Sequence, residues 1–184
     1  MKTDSEKTFE EYCEARGYSL EQILESKRQG EKRPDYYVHI KGVKIGCEIK
    51  EIQKLGSPLH GVQLGKTIES AKKQLRFFSD ENIPTILVAM DFSNHYLLER
   101  EHIEAAMFGG TQYWVGVTKK LPTIRSIRRD RKFSEENKTY ISALAVLESK
   151  RTTGIKMTIY QNPYAENPID FSIFSDTDVY KAIL

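Results

Sequence analysis

The stretch of residues 35–50 constrains the fold most strongly, because apolar and polar residues alternate along it. In its second half the apolar residues occupy alternate positions: Val43, Ile45, Cys47 and Ile49. A period of two is typical of a β-strand with one buried face, so these four residues share one side of a strand. Glu48 and Lys50 lie between them in the sequence and therefore share the other side.

A hairpin turn at Lys41–Gly42 would pair this strand with residues 35–40. Ile40 then lies opposite Val43, and the residue numbers of each opposed pair sum to 83. Asp35 is therefore predicted opposite Glu48, on the same face, whether the turn has two residues or four. Lysine is not an ideal residue for a tight two-residue turn, so the four-residue alternative stays open.

The opposition of Asp35 and Glu48 predicts a metal site. Cβ atoms of directly opposed residues are about 4.5–5.5 Å apart, so two carboxylates there repel each other unless a cation lies between them. Carboxylate oxygens suit Mg²⁺ or Mn²⁺, which also bind phosphate oxygens and keep several waters. Lys50, on the same face as Glu48, could orient a water or offset charge that develops on a phosphate. The pattern predicts metal-assisted hydrolysis of a phosphodiester bond.

Pro34-Asp35, followed after twelve residues by Glu48-Ile49-Lys50, resembles the signature of the PD-(D/E)XK nuclease superfamily. The resemblance implies that Asp35, Glu48 and the Ile49 main-chain carbonyl bind Mg²⁺ or Mn²⁺, and that Lys50 is the catalytic lysine. It implies a restriction-endonuclease-like α/β fold, a mixed β-sheet flanked by helices in the order α-β-β-β-α-β. The expected partner is nucleic acid, with DNA preferred. Residues 141–147 and 160–165 also resemble the C-terminal parts of bacterial members of the superfamily.

Members of this superfamily often add an acidic residue from the first helix and contacts from the helix after the Glu-x-Lys strand. On a helix predicted at residues 5–16, Glu10 flanks the buried face and is the candidate for this catalytic acid. A helix predicted at residues 61–79 places several polar side chains on one face. Its candidate contacts to nucleic acid are Lys66, Lys73 and Gln74.

Positive charge is concentrated in residues 119–132. This segment holds seven basic residues and one acid, a net charge of +6, which leaves −4 for the rest of a chain whose total is +2. Because it contains Pro122 and alternates poorly, the segment is predicted to be an exposed loop that contacts a polyanion. The candidate contacts are Arg125, Arg128, Arg129 and Arg131.

The length of 184 residues and the hydrophobic fraction of 39% favour one compact α/β domain over residues 1–184. The pattern predicts further helices at residues 19–28 and 97–108, and an irregular tail from residue 162. Further strands are predicted at 85–90, 113–117, 141–147 and 155–160. No apolar run reaches membrane-spanning length, no signal peptide is visible, and the two cysteines read as core residues. These features favour a cytoplasmic protein without membrane contact.

Three other interpretations stay open at this level. Glu48 and Lys50 could form an ordinary ion pair on a surface hairpin. The domain could bind nucleic acid without cleaving it, as a catalytically weak module of the same fold. The basic segment could instead contact an acidic protein, which would make the chain a protein-interaction domain. Small nucleases of this type are often homodimers because a duplex has two strands to cut, so a homodimer is an open expectation.

Overall fold

A mixed β-sheet of seven strands forms the centre of the molecule in this computed structural model. The structure describes residues 2–24, 33–52, 60–91, 100–117, 122–129, 131–150, 154–174 and 178–180. The helices are α1 (Asp4–Ala15), α2 (His60–Leu75) and α3 (Arg100–Phe108), with 3-10 helices at Arg76–Glu81 and Phe171–Ile173. The strands are β1 (Ser19–Gln22), β2 (Tyr36–Ile40), β3 (Val43–Glu51), β4 (Thr85–Asp91), β5 (Gly110–Val117), β6 (Pro122–Arg129), β7 (Ala143–Lys150), β8 (Gly154–Gln161) and β9 (Asp178–Tyr180).

The sheet has the order β1-β2-β3-β4-β7-β8-β9. Its first three strands are antiparallel to one another, while β3, β4 and β7 run parallel. On the far side, β8 is antiparallel to β7 and β9 is parallel to β8. The predicted α/β class with a mixed sheet is therefore confirmed. The apolar run at residues 85–90 forms the buried central strand that its sequence predicted.

Helices cover both faces of the sheet. On one face, α1 and the segment after β8 pack on Ile45, Cys47 and Ile49. On the other face, α2 and α3 pack on β4 and β7 through residues such as Ile68 and Leu87. Strand β3 is therefore buried on both sides, and its polar face lies in the interior beneath α2 rather than in solvent.

The hairpin of β2 and β3 has the predicted register. Ile40 pairs with Val43 and Tyr36 pairs with Cys47. Lys41 and Gly42 form a two-residue turn in which φ is 47° and 83°, respectively. Positive φ at both central residues is the geometry that matches the twist of the flanking strands. The four-residue alternative was therefore wrong, and Lys41 accepts the left-handed conformation.

Helix α1 begins where it was predicted, but the helix predicted at residues 19–28 is wrong in its described part. Thr3 and Glu6 form a capping box at the start of α1. Residues 19–22 instead form β1, which pairs with β2 from Ser19↔His39 onward. Leu20 of β1 packs against the core, whereas Leu24 is 79% exposed. Residues 25–28 lie outside the described residues.

The loop predicted at residues 119–132 is also wrong in its described part, because residues 122–129 form strand β6. Strand β6 is antiparallel to β5 from Gly110↔Arg129 to Val117↔Pro122, and the two form a separate sheet. We call this pair the ribbon. Pro122 is tolerated because it is the first residue of its strand. Residues 118–121 and Asp130 lie outside the described residues.

The segment after β8 is irregular, as predicted, but it is tightly held. The buried Asn162 side chain donates to the carbonyl oxygens of Ile141 (2.7 Å) and Lys138 (3.3 Å) and accepts from the Tyr164 N–H (3.1 Å). Two later elements, the 3-10 helix at Phe171–Ile173 and β9, were not predicted. None of the helices in the described part of the chain has the length and apolar character needed to span a bilayer.

Candidate functional site

Asp35 directly precedes β2 and is fixed by hydrogen bonds on both sides. Its main-chain N–H donates to the Cys47 carbonyl oxygen at 3.1 Å, and its carbonyl oxygen accepts from the Ile23 N–H at 2.9 Å. Its side-chain Oδ2 accepts from the Ile49 N–H at 2.7 Å. The carboxylate is therefore held against β3 in one orientation.

Glu48 lies in the middle of β3, beside Leu87 of the parallel strand β4 and directly after Cys47, which pairs with Tyr36 of β2. Only 1% of its side chain is exposed, whereas the Lys50 side chain is 27% exposed. Lys50 Nζ forms an ion pair with Glu48 Oε1. The other carboxylate oxygen, Glu48 Oε2, is buried and has no hydrogen-bond partner among the described residues. The structure thus brings together the three residues that the sequence singled out.

Asp35 disfavours the ionisation of Glu48, whereas Glu48 favours the ionisation of Asp35, because a side-chain hydrogen bond from Glu48 lowers the pKa of Asp35. Burial raises the pKa of Glu48 to about 8, and the Asp35 charge adds to the rise while Lys50 opposes it. Burial also raises the pKa of Asp35, against the effect of the Ile49 N–H and Lys50. Burial removes hydration from both carboxylates; Glu48 also meets the charge of Asp35, and Asp35 meets the charge of Glu6 on α1.

The geometry fits a divalent cation at Asp35 and Glu48. Glu48 Oε2 is an acceptor that lacks a partner, and it belongs to a carboxyl group close enough to Asp35 for each to affect the other's pKa. No group of three or more His, Cys, Asp or Glu side chains in the described part of the chain is arranged to hold a metal. Two carboxylates still suit Mg²⁺, which is commonly bound through one or two carboxylates and completed by water and phosphate oxygens.

Glu10, predicted as an additional acid, is engaged elsewhere. Its Oε1 accepts hydrogen bonds from Lys2 Nζ (2.5 Å) and from the Tyr36 hydroxyl (2.9 Å). Burial works against ionisation of Glu10, but these two donors outweigh it and lower the pKa. The acid of α1 whose charge acts on Asp35 is instead Glu6, and it also closes the capping box with Thr3.

Ile49 was predicted to bind the metal through its carbonyl oxygen. Its side chain is buried on the α1 face of the sheet, and its N–H is the group that holds Asp35 Oδ2. Sequence reasoning missed this hydrogen bond. The sequence contains a hint of it: Ile49 directly follows Glu48, which was predicted opposite Asp35. The Ile49 N–H is therefore close to the Asp35 carboxylate across the hairpin. The role of the Ile49 carbonyl stays a prediction.

The polar residues predicted to contact phosphate from α2 lie at different depths. Lys66 and Lys73 are exposed. Gln74 is half-buried, and its side-chain Oε1 is buried without a hydrogen-bond partner among the described residues. Ser70 on the same helix donates to the Thr67 carbonyl oxygen at 2.8 Å. Of Lys66, Lys73 and Gln74, only Gln74 has a buried polar atom without a hydrogen-bond partner among the described residues.

The basic residues of the ribbon are placed by their main chain. Arg125, Arg128 and Arg129 lie on β6, and their side chains lie outside the described parts of the structure. Arg131 follows β6 and is exposed. Their predicted contact with nucleic acid stays a prediction.

A comparison of this chain with protein-family models, curated proteins and solved structures found no match in any of the three. The site is therefore interpreted from its own geometry.

Proposed function

We propose that this protein is a metal-dependent nuclease that hydrolyses phosphodiester bonds in nucleic acid, with DNA as the preferred substrate. The observation that carries the proposal is the buried Glu48 carboxylate, which faces Asp35, pairs with Lys50 through one oxygen and leaves the other oxygen without a partner. Burying two acids side by side lowers the stability of the folded protein, because burial and repulsion both cost free energy. A functional role for the two carboxylates would account for this cost.

Burial counts against the interpretation of Glu48 and Lys50 as an ordinary surface ion pair. Exposed pairs gain little, but they also cost little to maintain. With only 1% of its side chain exposed, Glu48 is no surface residue. The interior position of an acid is better explained by a task that needs a carboxylate.

The order of elements agrees with the proposed superfamily. The chain runs α1, β1, β2, β3, α2, β4, which is the α-β-β-β-α-β order that the resemblance implies. The proposal therefore includes a restriction-endonuclease-like core within the mixed α/β sheet. Asp35 ends the loop that enters β2, while Glu48 and Lys50 stand on the strand that leads towards α2.

In the proposed reaction Asp35 and Glu48 would hold Mg²⁺ or Mn²⁺, which supplies Lewis acidity and lowers the pKa of a bound water. Asp35 is held in position by the Ile49 N–H, so its carboxylate keeps one geometry. Lys50 is the partly exposed cation beside the acids. It would orient the attacking water and stabilise negative charge on the phosphate. Lys66, Lys73 and Gln74 on α2 are the proposed contacts to the substrate backbone.

The test is cleavage of supercoiled plasmid, linear duplex, single-stranded DNA and RNA, each with Mg²⁺, Mn²⁺ or EDTA. Lys50→Ala is expected to reduce cleavage roughly 100-fold or more, because the loss acts on the transition state. The matched control is Lys44→Ala, which removes a lysine from the same face of the same strand, about 20 Å away at roughly 3.3 Å per residue. Cleavage that resists EDTA, or that Lys50→Ala leaves unchanged, would contradict the proposal.

Calorimetry of Mg²⁺ binding tests the two acids separately from catalysis. Asp35→Asn is expected to weaken Mg²⁺ binding at least ten-fold, since it removes one of two carboxylates. Asp4→Asn, on the exposed start of α1, is the control for loss of a carboxylate. If Asp35→Asn leaves the Mg²⁺ binding isotherm unchanged, Mg²⁺ does not bind at this site. Retention of nucleic acid in EDTA without any product in Mg²⁺ would favour a binding module of the same fold.

A further inference from the structure

The register of the ribbon divides its residues between two faces. Residues opposite each other in an antiparallel pair share a face, and neighbours along a strand alternate. One face, which we call the arginine face, comprises the pairs Gly110↔Arg129, Gln112↔Ile127, Trp114↔Arg125 and Gly116↔Thr123. The other, which we call the aliphatic face, comprises Thr111↔Arg128, Tyr113↔Ser126, Val115↔Ile124 and Val117↔Pro122.

The two faces differ in chemistry. Positions on the arginine face hold two arginines, a glutamine, a threonine and the single tryptophan of the chain. Arginine and glutamine are the residue types that pair in two-pronged fashion with guanine and adenine, and arginine also binds phosphate. The aliphatic face holds one arginine, Arg128, together with Thr111, Tyr113, Ser126 and four aliphatic or proline residues (Val115, Val117, Ile124 and Pro122). The arginine face therefore carries two of the three arginines of the ribbon and its single glutamine.

We propose that the arginine face of the ribbon docks in the major groove of duplex DNA. A two-stranded β-ribbon fits the major groove of B-form DNA, which is about 12 Å wide. Eight residues per strand extend roughly 27 Å, a little less than one helical turn of DNA. The major groove of A-form RNA is deep and narrow and does not admit such a ribbon. The shape and charge together select duplex DNA.

Both ends of the ribbon are anchored at the end of α3. Gly109, with φ of 79°, ends α3 and leads into β5, and its N–H donates to the Ala105 carbonyl oxygen at 3.1 Å. The chain returns at Lys132 and Phe133, whose N–H groups both donate to the Met107 carbonyl oxygen, at 2.9 and 2.8 Å. Phe133 and Met107 are fully buried. The ribbon thus starts and ends at a fixed point of the core.

A second anchor links the return of the ribbon to α2. Glu69 Oε1 accepts from Lys138 Nζ at 2.7 Å and lies 3.3 Å from Lys132 Nζ. Lys138 is buried, whereas the Glu69 side chain is exposed, so the ion pair lies at the edge of the core. The hydrogen bond from Lys138 and the charge of Lys132 lower the pKa of Glu69, although burial opposes them. DNA on the ribbon would therefore be held at a defined place relative to the protein.

The inference rests on the proposed function for the choice of nucleic acid as substrate, so its test measures binding in EDTA, without cleavage. Fluorescence anisotropy of a labelled 30-base-pair DNA is followed as the full-length protein is added. Arg125→Ala and Arg129→Ala are each expected to weaken binding roughly ten-fold. Arg128→Ala is the matched control: the sequence predicted Arg128 as a contact, but its register position is on the aliphatic face, so the same change of charge is expected to cost less than three-fold in affinity. Thermal unfolding checks that each variant is folded.

Two further arms use the unaltered protein. Unlabelled duplex RNA and single-stranded DNA are expected to compete at least ten-fold more weakly than duplex DNA. Duplex DNA whose cytosines carry glucosylated hydroxymethyl groups, which fill the major groove, is expected to bind at least ten-fold more weakly, while the minor-groove ligand netropsin has little effect. Equal losses from Arg128→Ala and Arg125→Ala, equal competition by duplex RNA, or indifference to the glucosylated DNA would overturn the proposal. Plasmid cleavage that needs Lys50 but neither Arg125 nor Arg129 would keep the proposed function and reject the ribbon.

Discussion

The surroundings of Glu48 are unfavourable to its own charge. Its side chain is buried on β3 beside strand β4, and the charge of Asp35 raises its pKa. The Lys50 side chain compensates only one of its two oxygens. In a protein without bound cation, Glu48 therefore takes up a proton more readily than a glutamate in the unfolded chain, and folding becomes linked to pH.

Metal-free protein is expected to become less stable as the pH rises from about 4.5 to about 8. The pKa of Glu48 is about 8 in the folded state and 4.5 in the reference state, so in this range the folded state binds the extra proton. The stabilisation is complete below the lower value and is lost as the pH passes the upper one. Glu48→Gln, which is neutral at every pH, should flatten this dependence and be more stable at pH 9 by a few kcal/mol.

Urea denaturation in EDTA at several pH values measures this effect. Glu11→Gln, on the exposed side of α1, is the control for removing a carboxylate. If the wild-type protein and Glu48→Gln show parallel curves of unfolding free energy against pH, Glu48 is not the group that takes up the proton.

At the scale of elements, the contact between β3 and the 3-10 helix after α2 depends on a glycine, Gly46. Gly46 follows Ile45 on β3, on the same face as Glu48, and the Phe78 ring occupies the space where a side chain would stand. A Cβ at Gly46 would lie 2.1 Å from Phe78 Cε2. Phe78 also packs against Tyr37, with ring centroids 5.2 Å apart. This close approach covers the face of the hairpin that carries Asp35 and Glu48.

Gly46→Ala is expected to destabilise the protein by about 1–3 kcal/mol, because the Phe78 ring must move from a packed position. Gly65→Ala, in α2, provides the contrast: a Cβ there would lie 3.6 Å from Lys132 Cε, an ordinary contact. Removing a glycine from a helix interior should stabilise the protein by about 0.5–1 kcal/mol. Urea denaturation compares the two variants, and a stable Gly46→Ala protein would mean that Phe78 has room to rearrange.

At the scale of the whole molecule, two segments of similar length differ in how much they contribute to the core. The ribbon forms its own sheet and joins the rest through the end of α3. The segment that follows β8 instead contributes Ile169, Phe171, Ile173 and Phe174 to the core on the α1 face. Burial of each such side chain stabilises a protein by about 1.5–3 kcal/mol, and a whole domain is stable by only about 5–15 kcal/mol.

Replacing residues 111–130 with a short Gly-Ser linker should therefore leave a folded protein that no longer binds duplex DNA tightly. Ending the chain after Gln161 should abolish cooperative unfolding, since it removes both the apolar side chains and the hydrogen bonds of Asn162. Thermal unfolding followed by circular dichroism distinguishes the two outcomes. Loss of the cooperative transition in the linker variant would show that the ribbon is part of the core.

The sequence predicted what depends on local pattern and missed what depends on distant partners. Alternation over residues 43–49 and the turn at Lys41–Gly42 were enough to predict the register of the hairpin as far as Tyr36↔Cys47, and the Asp35 carboxyl group lies close enough to Glu48 to raise its pKa. Strand β1 was predicted as a helix, because its pairing with β2 leaves no trace in four mostly exposed residues. Strand β6 was predicted as a loop, because its apolar and polar residues alternate irregularly and its strand conformation depends on pairing with β5.

The depth of the candidate site also escaped sequence reasoning. Alternation placed Glu48 and Lys50 on the polar face of β3, which suggested access to water. The structure puts α2 over that face, so Glu48 is enclosed and only Lys50 is partly exposed. Glu10 accepts a hydrogen bond from the Tyr36 hydroxyl, on the opposite face of β2, and its role as the additional acid stays a prediction. Neither contact is visible from the spacing of residues along one element.

The two-residue turn at Lys41–Gly42 makes the site sensitive to insertions and deletions in a way that substitutions do not reveal. One residue added to either strand between Asp35 and Glu48 would change the parity of the pairing and send one acid to the opposite side of the sheet. Two residues added at the turn would lengthen the hairpin and leave the acids opposed. Descendants of this chain that keep the two acids together should therefore change length at the turn and not by a single residue within either strand, whatever amino acids they carry there.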